Sequence, residues 1–141
     1  MDNSLDSIKK DELLEKLQKE WSIEEFVDFN EFTLNDRLQR HPFMLMKFQQ
    51  KLENEKFQLN KLLDLKVKIE GEAFERIQRE NDLVLKTSEI EKYYLPRDEK
   101  LNKIKETLSL QTFIVSYFEM TVKVLNSMSW TLKNFIDSYK I

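Results

Sequence analysis

The chain contains no cysteine, one glycine, two prolines and one histidine among its 141 residues. Without cysteine, disulfides and thiolate metal sites are excluded, and a reducing compartment fits. Sheets joined by tight turns need glycine and proline signals, so the scarcity of both residues argues against β structure. No stretch approaches the roughly 20 apolar residues of a membrane span, and the polar N-terminus has no apolar signal core. We therefore expect a cytoplasmic, all-α protein.

The sequence also lacks the residue clusters that active sites use. Its only histidine, His41, lies between Arg40 and Pro42 at a predicted helix start, where a capping or surface role is the ordinary one. No glycine-rich loop could hold a phosphate, and the carboxylates alternate with lysines as they do on solvated helix faces. We expect no catalytic residue, no metal and no cofactor.

Charge is unevenly distributed along the chain, although the formal net charge is only −3. Residues 1–36 hold 11 acids and 4 bases, residues 37–79 hold 6 acids and 10 bases, and residues 80–141 hold 9 of each. Within a single domain, this predicts three segments with different roles: an acidic helical segment (1–40), a long basic helix (42–80) and C-terminal helices (88–141).

Few residues in the first two segments mark the start or the end of a helix. A weak first helix is expected over residues 5–29 and a short one over 32–40. Pro42 is then expected to open a new helix that continues to about Arg79, with Gly71 as its one possible interruption. Aromatic residues alternate with acids in the first segment and could either dock on a basic protein surface or cover the core. These aromatic residues are Trp21, Phe26, Phe29 and Phe32.

The last segment carries the clearest period. Ser88 and Glu91 form a possible capping box, Leu95–Pro96 is expected to end the short helix there, and the final helix is expected from Arg97 to near Ile141. Two apolar seams run along this helix, and two seams on one helix suit a second copy as partner, although burial within a monomer is the alternative. The predicted oligomerisation residues are Leu108, Phe113, Ile114, Val115, Tyr117, Phe118, Val122 and Leu125.

A group of lysines on the long helix is the candidate binding site. At about 100° per residue, four of them share one arc and a fifth lies at its edge. Such a stripe suits a phosphate backbone bound without sequence readout, and a closed oligomer would repeat it; an ordinary solvated face is the alternative. The four are Lys47, Lys51, Lys61 and Lys68, and the fifth is Lys66.

One short motif in this helix carries a family resemblance. The stretch LKVKI at residues 65–69 resembles the LKARL-type motif of the UvsY family, the recombination mediators of T-even-type bacteriophages. By position, Lys66 and Lys68 match its two cationic residues. Lys68 stands where the family motif has arginine, so it keeps the charge and loses the guanidinium fork.

The similarity extends over most of the chain from about Leu13. The run from Tyr94 to Ile136 is similar in polarity and spacing to the family's tail, including an aspartate–lysine–leucine step at Asp98, Lys100 and Leu101 and the segment 130–133. The longer acidic N-terminus and the residues from Gly71 onward depart from the family pattern.

The resemblance implies a function without catalysis. UvsY-like proteins form ring-shaped homo-oligomers, of about six or seven subunits, through their C-terminal helices. They bind single-stranded DNA, help to displace the phage single-strand-binding protein and help a RecA-like phage recombinase to assemble. The implied setting is DNA recombination, repair and replication in the cytoplasm of an infected bacterial host cell.

Two other functions compete with this one. A helical oligomeric scaffold or adaptor would have the same helices, with the lysines as plain solvated surface and no affinity for DNA. A membrane-surface protein would place basic helices on anionic lipid, but the dispersed acids and the net charge of −3 argue against it. An enzyme is a distant third possibility.

Overall fold

The computed structural model describes the backbone of residues 2–24, 30, 32–81 and 84–139, with the side chains of residues 2–6 and 139 left out. Expectations for residues 25–29 and 31, among them the roles of Phe26 and Phe29, lie outside the described residues. In the described part of the chain the regular structure is entirely helical, and the all-α expectation is confirmed.

The described residues form four α-helices. They are α1 (Asp2–Glu20), α2 (Leu34–Glu80), α3 (Thr87–Glu89) and α4 (Glu99–Tyr139). Between α3 and α4 lie a π-helical turn, Ile90–Tyr94, and a 3-10 turn, Leu95–Arg97.

Helix α2 begins where two polar side chains satisfy each other's backbone. Asn30 Oδ1 accepts hydrogen bonds from the amides of Phe32 and Thr33 at 2.9 and 3.1 Å, and Thr33 Oγ1 accepts one from the Asn30 amide at 2.9 Å. The Thr33 carbonyl then accepts the first helical bond, from the Arg37 amide. This reciprocal pairing is the physical reason for a helix start at this point.

The predicted helix break at Pro42 is wrong, because α2 runs through this residue. Proline inside a helix costs about 3 kcal/mol through a lost hydrogen bond and a steric clash. A tertiary contact holds the backbone next to it: His41 is buried, and its Nε2 donates to the Leu125 carbonyl of α4 at 2.7 Å. The expected capping or surface role for His41 is therefore also wrong. Gly71 does not interrupt α2 either.

The short helix before α4 starts differently from the prediction. Lys86 is its N-cap residue and no side chain caps it, so Ser88 and Glu91 do not form the expected capping box. Helix α4 begins two residues later than expected, after Asp98. The Asp98 carboxylate accepts the Leu101 amide at 2.8 Å, and its carbonyl accepts the Asn102 amide, which is the geometry of an N-cap.

The chain packs as two compact units. Unit 1 comprises Met1–Glu55 and Phe113–Ile141. Its interior contains a cluster of aromatic rings, in which Trp21 meets Phe48 and Phe118 edge-on with centroids 5.3 and 5.4 Å apart. Tyr117 meets Phe118 in the same way at 5.3 Å. Edge-to-face pairs of this kind contribute about 0.5–1.5 kcal/mol beyond the area they bury.

Unit 2 comprises Lys56–Thr112 and has an aliphatic interior. Helix α2 supplies one side of this core at helical spacing, and the turns before α4 and the start of α4 supply the rest. The buried residues are Ile69, Ala73, Ile77, Ile90, Leu95, Leu101 and Ile104.

Candidate nucleic-acid interface

Two of the predicted lysines are exposed together on the part of α2 that belongs to unit 2. Lys61 and Lys68 both reach solvent and are seven residues apart, which is two turns of the same helix face. Lys66 is half-buried instead, because it lies on the side of α2 that packs toward the core, between Leu62 and Ile69. The two cations of the LKVKI motif therefore differ in their access to solvent.

The same surface contains an aromatic residue that is not among the sequence-predicted site residues. Phe57 is 59% exposed, and the Lys61 Nζ lies 4.6 Å from the centre of its ring. A phenylalanine four residues before a lysine, on the side of the helix opposite the apolar period, was the signal that could have identified it.

The other two predicted lysines belong to unit 1, where Lys47 is exposed and Lys51 is half-buried. Lys47 and Lys51 place their ammonium groups 5.0 and 5.6 Å from the Trp21 ring, and Lys51 also pairs with Glu55 at 2.8 Å. Cation–π contact and ion pairing together position these side chains. The five lysines predicted as one stripe thus fall into different environments.

The predicted oligomerisation residues are mostly covered by their own chain. Tyr117, for example, donates its hydroxyl hydrogen to the Trp21 carbonyl at 2.8 Å, and burial raises its pKa. Such side chains need no second copy to remove them from water. Leu108, Val115, Tyr117, Phe118 and Leu125 are buried, whereas Phe113, Ile114 and Val122 are half-buried.

The outer face of α4 in unit 1 leaves other apolar side chains in solvent. Trp130 is 68% exposed, with the Lys133 Nζ 5.7 Å from its ring, and Met120 is also exposed. Trp130 lines an open groove of about 380 Å³ that also reaches Leu52 of α2. The remaining lining residues are Glu119, Val122, Lys123, Asn126 and Ser127.

One carboxylate in unit 2 has a shifted pKa. Burial raises the pKa of Asp98, but the Leu101 amide and the Arg76 guanidinium outweigh this effect and hold the pKa below its ordinary value of 3.8. Asp98 thus remains ionised in its cap and its ion pair with Arg76 at neutral pH. Across the described ranges, histidine and carboxylate side chains nowhere gather in a group of three that could hold a metal.

Comparison with known proteins adds no relative. Among the described residues, no helix is both long enough and apolar enough to cross a membrane. No protein-family model matches the chain, and neither a curated protein nor a solved structure matches it. The exposed side chains of α2 and the resemblance of the LKVKI stretch therefore support the functional proposal.

Proposed function

We propose that this chain is a non-catalytic recombination mediator that binds single-stranded DNA through α2. The observation that carries the proposal is the exposed pair Lys61 and Lys68, two helical turns apart on one face. Lys68 is also the second cation of the motif that resembles the UvsY family. The structural observation and the resemblance therefore support the same helix face.

The chemistry of this face suits a phosphate backbone. Lysine ammonium groups neutralise phosphates and release condensed counterions, which gives affinity without base specificity and makes binding depend on salt. In the part of the chain that the structure describes, Lys68 has no carboxylate partner, so no internal ion pair must break before it binds. Lys51 and Lys66 enter the proposal as weaker contacts, because the Trp21 ring and Glu55 hold Lys51 and both side chains are half-buried. Lys47 is exposed beside the Trp21 ring and adds a contact on unit 1.

The mediator step and the partners come from the resemblance. In this proposal the protein helps to displace the phage single-strand-binding protein and to load the RecA-like phage recombinase, in the cytoplasm of an infected host cell. A ring of copies would repeat the lysine pair and raise affinity by multivalency. Because the apolar seams of α4 are largely covered, copies would meet through exposed groups such as Met120 and Trp130.

A titration of a labelled poly-dT oligonucleotide tests this proposal. Fluorescence anisotropy at several salt concentrations should show binding that weakens steeply with salt and exceeds binding to a duplex of equal length. Absence of binding at low salt would contradict the proposal.

A helical oligomeric scaffold or adaptor without DNA binding is the second candidate. The exposed Trp130 beside the groove on unit 1 favours it, because tryptophan is enriched where proteins dock. This candidate predicts self-association in analytical ultracentrifugation that Trp130→Ala weakens, together with no change in poly-dT anisotropy at any salt concentration.

A further inference from the structure

The Phe57 ring is not part of the core of unit 2. The core of unit 2 takes its side chains from the opposite face of α2, which includes Ile69 and Ala73, whereas Phe57 is 59% exposed. A single exposed apolar residue is common on protein surfaces and needs no explanation. What distinguishes Phe57 is its position among the cations of the proposed binding face.

The helix geometry puts the ring and both exposed ammonium groups on one narrow arc. At about 100° per residue, Lys61 lies about 40° and Lys68 about 20° around the helix from Phe57. The Lys61 Nζ is already 4.6 Å from the ring centre. The side of α2 that carries the lysines is therefore also the side that presents an aromatic ring.

We propose that Phe57 is a base-stacking residue for single-stranded nucleic acid. This inference rests on the proposed function and adds the part of the ligand that the ring recognises, an unpaired base. Proteins that bind single strands without sequence preference combine a cationic track for the backbone with aromatic rings for the bases. A duplex keeps its bases stacked inside, so the ring would also favour single strands over duplex.

The movement required on binding is small. Lys61 has a long, flexible side chain, and its ammonium can leave the ring for a phosphate while the ring receives a base. The charge that lay over the aromatic face then neutralises the strand beside it. Lys68, further along the same arc, would hold the backbone as the strand continues.

Two oligonucleotides and three variants test the inference. Anisotropy is measured with an oligo-dT and with an abasic oligomer of the same length and charge. Phe57→Leu should weaken oligo-dT binding about tenfold, the effect of one lost stacked base, and leave abasic binding unchanged. Phe57→Trp should bind oligo-dT at least as well as wild type. Phe32→Leu is the matched control, because Phe32 is 92% exposed outside the basic face, and it should bind like wild type.

The outcomes separate this inference from the proposed function. Equal oligo-dT affinity in Phe57→Leu and wild type overturns the stacking role and leaves DNA binding intact. An equal loss on both oligomers overturns it as well, because a missing base contact cannot affect the abasic strand. Wild-type protein that binds neither oligomer overturns the proposed function and this inference with it.

Discussion

The two compact units bury different kinds of side chain and treat their lysines differently. Unit 1 surrounds Trp21, Phe48 and Phe118 with ring-to-ring contacts. It also uses buried hydrogen bonds, from the His41 ring to the Leu125 carbonyl and from the Tyr117 hydroxyl to the Trp21 carbonyl. Unit 2 buries isoleucine, leucine and alanine, and its notable polar contact is the Asp98 cap with its Arg76 partner.

The lysines of α2 show what this difference means for function. Where the neighbouring interior is aromatic, Lys51 is half-buried, lies over the Trp21 ring and pairs with Glu55, while Lys47 is exposed beside the same ring. Where the interior is aliphatic, Lys61 and Lys68 remain exposed. Lysines that are equivalent in a helical projection are thus unequal in their availability to a ligand.

The largest expected effect comes from breaking the aromatic cluster of unit 1. Phe118→Ala removes a fully buried ring, and we expect the free energy of unfolding to fall by about 3–5 kcal/mol. Urea unfolding followed by tryptophan fluorescence measures it, since Trp21 borders the cavity.

Ser116→Ala is the control for this substitution. Ser116 is on the same helix but exposed, so the change should stay within about 0.5 kcal/mol. Similar losses in the two variants would mean that the aromatic cluster does not stabilise unit 1.

A smaller, pH-dependent effect on stability is expected at the N-cap of α4, in unit 2. Asp98→Ala should lower the free energy of unfolding by about 1–2 kcal/mol at neutral pH, mostly through the lost cap. Arg76 is nearly half exposed, so the ion pair itself adds little.

The pH dependence has a definite sign. Because folding lowers the pKa of Asp98, its stabilisation is present above the unfolded value of about 3.8 and is lost as the pH falls through the lower folded value. Urea unfolding of wild type and variant across this window should show their difference shrinking toward acid. Asp98→Asn, which keeps a capping oxygen, separates cap from charge. A constant difference across the window would contradict the lowered pKa.

The smallest expected effect is a gain at Gly71. An added Cβ meets nothing within 4 Å, and the residue is exposed inside a continuous helix. Gly71→Ala should therefore raise the free energy of unfolding by about 0.5–1 kcal/mol, seen as a higher Tm by circular dichroism. Gly71→Pro is the opposite control and should lower stability by about 3 kcal/mol. An unchanged Tm in both variants would mean that α2 is not continuous there.

The sequence predicted the helical class well and the helix boundaries less well. Scarce glycine and proline were sufficient for an all-α fold. Pro42 misled because its local cost is opposed by a contact between His41 and Leu125, residues 84 positions apart. No local sequence pattern predicts such a contact.

The candidate site was predicted only in part, for a related reason. Periodicity indicates which side of a helix is apolar, but not which partner covers it. Periodicity therefore predicts that a second copy covers Val115, Phe118 and Leu125, whereas their own chain buries them. Likewise, the stripe prediction placed Lys51 with Lys61 and Lys68, because no helical projection shows that Trp21 and Glu55 contact the Lys51 side chain.

The most direct test of the central claim compares paired lysine variants from the two units. Poly-dT anisotropy over a salt series gives the slope of log affinity against log salt for Lys61→Gln/Lys68→Gln and for Lys47→Gln/Lys51→Gln. Each lost phosphate contact on a single strand should reduce the slope by about 0.7. We predict a reduction of between about one and two in the first variant and a smaller one in the second. An unchanged slope in Lys61→Gln/Lys68→Gln would contradict the account.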